Sequence, residues 1–191
     1  MCTNHRGFTL IEATLSIVIV SIAAAGVMLL FQKTASSSAD ALALKQAYAV
    51  AQAMLEEVEG EPFTYCDPRD ANVKTATGAF VGAGGCAATV EGLGPELGET
   101  RYSAANPFNN VNDYNGFAMV GVRDITGAVV GGAALTGYTT TVTTQPFAFG
   151  GIAAQDAHFA PQVLLVTVTV TGNNVAATLQ GIRTRYAPTS P

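Results

Sequence analysis

The chain has 191 residues, 49% of them hydrophobic and only 12% charged, with a formal net charge of −5. Its mean hydropathy of +0.31 is high for a soluble protein and low for one with several membrane spans, so a single membrane segment attached to one globular domain fits best. The acidic balance, with no stripe of Lys or Arg, argues against nucleic acid as a main partner.

Residues 1–7, Met-Cys-Thr-Asn-His-Arg-Gly, are polar with one sure positive charge, Arg6. The twenty residues from Ala13 to Gln32 carry no charge and no proline. At about 1.5 Å rise per residue they span roughly the 30 Å of a hydrocarbon core, where the backbone must bond internally and a helix is required. Glu12 is the anomaly, because a carboxylate at the edge of such a run costs a few kcal/mol. Either it sits in the headgroup layer, or it has a partner and a function. Two plainer readings of the segment exist. A secretory signal cut near Ala35 to Ala39 conflicts with the length of the apolar run, the acid that begins it and its single basic residue. A simple signal anchor leaves Gly7 and Glu12 unexplained.

After Lys33 the run Ala35-Ser36-Ser37-Ser38 leads into Ala39 to Glu59, which has neither Gly nor Pro and reads as helix. Leu44, Ala47, Tyr48, Ala51, Leu55 and Val58 recur at spacings of three and four and form one apolar face, with Asp40, Lys45, Gln52, Glu56 and Glu59 mostly elsewhere. Gly60 and Pro62 stop it. Anchor and amphipathic segment form either one long rod, with the serine run as its weakest part, or two helices interrupted there; the sequence leaves continuity through residues 33–39 open.

Twenty glycines and eight prolines, nearly all beyond residue 59, describe a turn-rich β domain. Residues 61–116 show little pattern and are expected to be irregular. Strands are expected at Phe117 to Arg123, Ile125 to Val130, Tyr138 to Thr144, Val163 to Thr171 and Val175 to Tyr186. In the fourth of these, Leu164, Val166, Val168 and Val170 alternate with Leu165, Thr167, Thr169 and Thr171, the pattern of a half-buried strand. Gly172-Asn173-Asn174 suits a hairpin connection. Residues 145–162 form a long loop. The fold class is α+β: a long N-terminal helix, part membrane anchor and part amphipathic, packed on an antiparallel β-sheet head.

The string Arg6-Gly7-Phe8-Thr9-Leu10-Ile11-Glu12 resembles the class III leader and cleavage site of type IV prepilins and type II secretion pseudopilins. The resemblance covers the leader and the anchor, is weaker along the following helix, and departs from the usual large aliphatics at Ala13-Thr14. It implies that a prepilin peptidase cuts between Gly7 and Phe8 and methylates the new N-terminus at Phe8. The chain then divides into a leader (1–7), a transmembrane and assembly helix (8–32), an amphipathic helix (33–60) and a β-rich head (61–191). The cationic amine at Phe8 can pair with the Glu12 carboxylate of the same or a neighbouring subunit, which makes Glu12 a subunit-assembly residue, since an unpaired buried charge is far more costly than a paired one. The implied partners are other pilin subunits through the N-terminal helix, the peptidase and an inner-membrane assembly platform. The implied location is the inner membrane, single-pass with the head in the periplasm, and then the pilus.

If the leader is removed Cys2 goes with it, leaving Cys66 and Cys86. In an oxidising periplasm these are expected to pair, closing a loop of about twenty residues worth roughly 3 kcal/mol. A redox or zinc site lacks the spacing and further ligands.

The segment Phe108 to Phe117, with Asn110, Asn112 and Asp113 before Gly116, is a weak match to calcium-loop chemistry: it has one carboxylate and no bidentate Glu at the twelfth position. An Asn-rich turn is the plainer reading, and no metal or other cofactor is expected beyond that weak calcium candidate. The same string is similar to the D-type minor pilins of mannose-sensitive haemagglutinin pili, which implies a minor rather than a major pilin. No catalytic residues are expected, because His158 stands alone in a loop and the glycine clusters lack the setting of phosphate loops. The resulting expectation is a minor type IV pilin, a structural or assembly subunit. The alternatives are a type II secretion pseudopilin, or an adhesin head binding glycans or surfaces through residues 82–100 and 145–162.

Overall fold

The computed structural model describes Gly7 and residues 9–191, with residues 35–39 described as backbone only. The chain forms two compact units, Met1–Leu42 and Ala43–Pro191. One helix, α1 (Leu10–Gly60), supplies most of the first unit and opens the second, and its backbone stays helical through the serine run. Serine side chains disfavour a helix interior only by tenths of a kcal/mol each, too little to break a helix that continues on both sides.

In the first unit, Leu10–Thr34 has a mean hydropathy of 2.5 and an 18-residue window of which none is buried. Its large aliphatic side chains and Phe31 are exposed all round. A helix apolar on every side with no protein around it is suited to lipid.

In the second unit the last four turns of α1 lie on a sheet. Ala47, Ala51, Met54 and Val58 are buried, whereas Leu44 and Tyr48, expected on the apolar face, are 38% and 45% exposed. At about 100° per residue the two sets lie on neighbouring stripes, and the sheet takes the one that carries the small alanines, where backbones can come close. The sheet is antiparallel in the order β1 (Ala118–Val120), β2 (Tyr138–Pro146), β3 (Val163–Gly172), β4 (Val175–Thr184). The register pairs Thr140 with Val170, Val142 with Val168 and Thr144 with Val166, all buried on the helix-facing side. Leu164, Val166, Val168 and Val170 enter the core as their alternation predicts. The hairpin between β3 and β4 turns at Asn173 and Asn174, with φ of 49° and 61°, the left-handed pair that a two-residue turn requires.

Two expected strands differ. The first is only three residues long, because Gly121 (φ 68°) turns the chain away. The second, Ile125 to Val130, is a tight turn: the Asp124 carboxylate accepts the N–H groups of Thr126 and Ala128, and Gly127 takes φ 83°, leaving one bridge between Arg123 and Val129. Local side-chain capture of the backbone outcompetes the ladder there. Residues 61–116 are irregular, as expected, apart from a 3-10 helix at Val111–Tyr114, and a second such helix lies at Gly132–Leu135.

The face assignment of β3 is checked by a pair of substitutions. Leu164→Ala should cost about 2–5 kcal/mol, as for other fully buried leucines, whereas Thr171→Ala, exposed on the same strand, should stay within about 0.5 kcal/mol. Denaturant midpoints of the two variants measure the contrast.

Candidate functional site

The amino-terminal candidate residues lie where α1 begins. Gly7 is exposed, and Phe8, the expected cleavage and methylation position, lies outside the described residues, as does Cys2. Thr9 caps the helix: its hydroxyl accepts the Glu12 N–H at 3.3 Å, and its carbonyl accepts the N–H of Ala13 at 3.1 Å. Glu12 is exposed in the first turn, where the helix dipole favours an acid. The Thr9-x-x-Glu12 spacing is that of a capping box, a local signal that the family resemblance obscured.

In the head, Cys66 and Cys86 form a disulfide across a separation of 20 residues. Inside that loop Asp70 does a second, parallel job. Its carboxylate accepts four backbone N–H groups, from Asn72 and Ala87 on one oxygen and from Ala88 and Thr89 on the other, at 2.8–2.9 Å. Burial alone would raise its pKa; the four donors more than reverse this and hold the carboxyl well below its ordinary value. A third tie is ionic. Buried Arg101 meets both oxygens of Glu57 on α1 at 2.6 and 2.7 Å and donates to the carbonyls of Arg123 and Asp124, while Tyr114 donates to the same Glu57 at 2.9 Å.

The weak metal candidates Asn110, Asn112 and Asp113 are all buried. Asp113 takes the N–H groups of Asn109 and Asn110 on Oδ2, closing the 3-10 turn as an Asn-rich turn should. Asn110 is engaged elsewhere, donating to Thr64 at 2.8 Å. Asn112 donates to Glu91 and to the Gly92 carbonyl. The fold brings four acids to this corner that sequence spacing did not join to Asp113. Asp67, Glu91 and Glu96 each place one oxygen within 4.8 Å of the others, and so do Glu96, Glu99 and Asp113. The available signal was Glu91, Glu96 and Glu99 crowded into one glycine-rich segment.

Among the described residues Arg69 pairs with this group, with Asp67 at 3.5 Å and with Glu99, and Arg185 acts on Glu91 through its charge. Glu91 and Asp113 have raised pKa values, in both cases mainly through burial; mutual repulsion with Asp113 and Glu96 adds to it at Glu91, and backbone donors oppose it at Asp113. A cleft of about 530 Å³, lined by Asp67, Arg69, Glu96, Leu97, Glu99 and Asn106 among others, opens beside the acids. The glycine-rich segment proposed as an exposed binding surface is therefore partly interior, since Glu91 and Glu99 are buried. His158 is exposed and its ring lies tilted against Phe80, with centroids 4.8 Å apart. The 145–162 loop does expose Phe147, Phe149, Ile152 and Phe159.

Against known proteins, residues 2–28 match the family model of the prokaryotic N-terminal methylation motif. Comparison with curated proteins and with solved structures gave no match. Together with the unburied apolar helix it runs into, the motif supports a type IV pilin-like protein whose N-terminal helix is suited to membrane anchoring. The motif implies processing by a prepilin peptidase and assembly into pili.

Replacing Asp70 isolates the carboxylate's contribution. Asp70→Asn exchanges an accepting oxygen for a donor and strands two N–H groups, and should cost on the order of 2–3 kcal/mol. Because the folded pKa is depressed, the stabilisation is present above pH about 4 and fades as pH falls below it. Melting wild type and variant from pH 7 to pH 3 should show the gap between them narrowing with acid.

Proposed function

We propose that this chain is a minor type IV pilin, cut after Gly7, methylated at Phe8, and held in a bacterial inner membrane with its head in the periplasm until it enters a pilus. The observation that carries the proposal is the methylation motif, whose matched residues 2–28 run into a helix that is apolar and unburied over Leu10–Thr34 and half-buried against a sheet beyond Ala43. One end of that helix suits lipid or other apolar helices, and the other organises a folded head. The similarity of Phe108 to Phe117 to D-type minor pilins supports the minor role.

Glu12 then acts in assembly. Cleavage creates a cation at Phe8, and a carboxylate near it inside a bundle of apolar helices offsets a desolvation penalty that neither group can bear alone. A neighbouring subunit displaced along the bundle axis would leave both charges unpaired, so the pair selects one docking register. Filament entry, and through it pilus biogenesis, adhesion or motility, follows from that selection.

Intact-mass measurement of the membrane-extracted protein should give a chain beginning at methylated Phe8; an N-terminus at Met1 or near Ala39 would contradict processing at this site. Glu12→Ala should leave cleavage and membrane insertion intact and reduce incorporation into sheared filaments by at least about tenfold, the size expected for the loss of a few kcal/mol at a buried pair. Wild-type incorporation of that variant would refute the register role.

A further inference from the structure

We infer that the acid corner of the head is a divalent-cation site, built for calcium, with Glu96 at its centre and Asp67, Glu91, Glu99, Asp113 and Asn112 around it. The reason lies in how each oxygen is used. Glu91 gives Oε1 to the Asn112 amide, Glu96 gives Oε1 to the Gly92 N–H, and Asp113 gives Oδ2 to two backbone N–H groups. In all three the other oxygen, Oε2 of Glu91, Oε2 of Glu96 and Oδ1 of Asp113, is buried and accepts from no amide, hydroxyl or guanidinium, the Glu91 and Asp113 carboxyls being within hydrogen-bond reach of each other. Each side chain is thus fixed by one oxygen and offers the second.

The neutral groups repeat the pattern independently. Asn112, 1% exposed, points its amide at Glu91, and Asn109 points its amide at Glu99. In each the Oδ1 is buried and without a donor. Stranding this many acceptors in one place, at a cost of about 1–3 kcal/mol apiece, is a sign of a missing positive partner. Water can donate to acceptors but cannot balance the charge: five carboxylates face two arginines, Arg69, whose side chain is 44% exposed at the edge of the cleft, and Arg185, whose charge reaches Glu91.

The spacing fits one ion. Two oxygens bound on opposite sides of an ion at about 2.4 Å stand as far apart as the 4.8 Å limit that both acid triads meet, and the triads share Glu96. The donors of both triads are carboxylate oxygens, and the head's cysteines are joined in a disulfide, so the thiolate and imidazole donors that zinc and the softer metals favour are missing from them. Their number and irregular placement suit calcium, which takes six to eight oxygens, better than magnesium, which demands an octahedron and keeps its waters. The cleft beside Asp67, Glu96 and Glu99 supplies the entry path. The ion would join three chain segments, just after α1, the glycine-rich loop and the 3-10 turn, and this inference stands whether or not the chain is cut at Gly7.

The test uses the full-length protein in detergent micelles, stripped with EGTA and then titrated with calcium chloride. Calcium should raise Tm by on the order of 5–10 °C once it exceeds its Kd about a hundredfold, and magnesium should raise it less. Glu96→Gln and Asp113→Asn should abolish the rise. In EGTA these variants should melt at or above the wild type, because they remove repulsion, and in calcium they should melt below it. That crossing separates a cation site from a merely structural cluster. No calcium-dependent rise in the wild type would overturn the site, leaving protons shared among the acids as the account of the corner. An equal rise in both variants would place the ion elsewhere, and an equal rise with magnesium would overturn the choice of calcium.

Discussion

The head depends on one contact, the stripe Ala47, Ala51, Met54 and Val58 of α1 lying on the buried face of β2, β3 and β4. A sheet with one apolar face has to cover it, and here no other helix of more than four residues is available among the described elements. The two alanines let the helix sit close. Gly181 on β4 does the same from the sheet side, since a Cβ there would run into the side chains of Glu59 and Leu55. Tyr138 at the start of β2 reaches across to the Ala43 carbonyl and to Gln46, both at 3.0 Å, so the sheet's register is also tied to the helix by polar contacts.

That contact also gathers Phe63, Val111 and Tyr114 but leaves much of residues 61–116 outside its core. Residues 61–116 contribute no strand to the sheet, and the apolar cluster of their own, around Cys66, Val73, Ala76 and Cys86, is small. An irregular segment of this length must satisfy its backbone with side chains. The disulfide and Asp70 hold the same junction by independent means, one covalent and one through four N–H groups. Arg101 fastens the next stretch to Glu57 on the helix. Arg185 covers the ring of Phe63 at 4.2 Å, where burial pushes its pKa down to about 10. The acid corner belongs to the same logic, with charge in place of apolar area as the means of holding three segments together.

This division explains what could be read from the sequence. Val163 to Thr171 and the Asn173-Asn174 turn were legible because alternation and turn chemistry are local, and so was the disulfide once two cysteines were left to pair. The apolar stripe of α1 was legible at Ala47, Ala51, Leu55 and Val58 but drawn too wide at Leu44 and Tyr48, because periodicity locates an apolar face but not which flank of it the sheet will choose. Ile125 to Val130 misled because its residue types suit a strand, while Asp124 and Gly127 decide the backbone. The calcium-loop pattern pointed to Asn110, Asn112 and Asp113, and it could not reach Asp67 or Glu91, which only the fold brings near Glu96. Asp70, Glu57 and Arg101 carry no spacing signal at all, since their partners are backbone groups or residues tens of positions away.

The same physics accounts for a family match that stops at residue 28. Within the first segment each position answers to a separate demand: in the proposed pathway Gly7 and Phe8 to a cleaving enzyme and Glu12 to an opposite charge, Thr9 to the capped helix end, and the following residues to an apolar surrounding. Few residue types meet each demand, so the segment is recognisable on its own. The head answers to weaker demands. Any apolar set of the right volume can fill a core beneath α1, and an irregular segment can be pinned by a disulfide, a buried carboxylate or an ion pair in many arrangements. A chain built this way announces its class in its first turns of helix and keeps what distinguishes it in the contacts of residues 61–116.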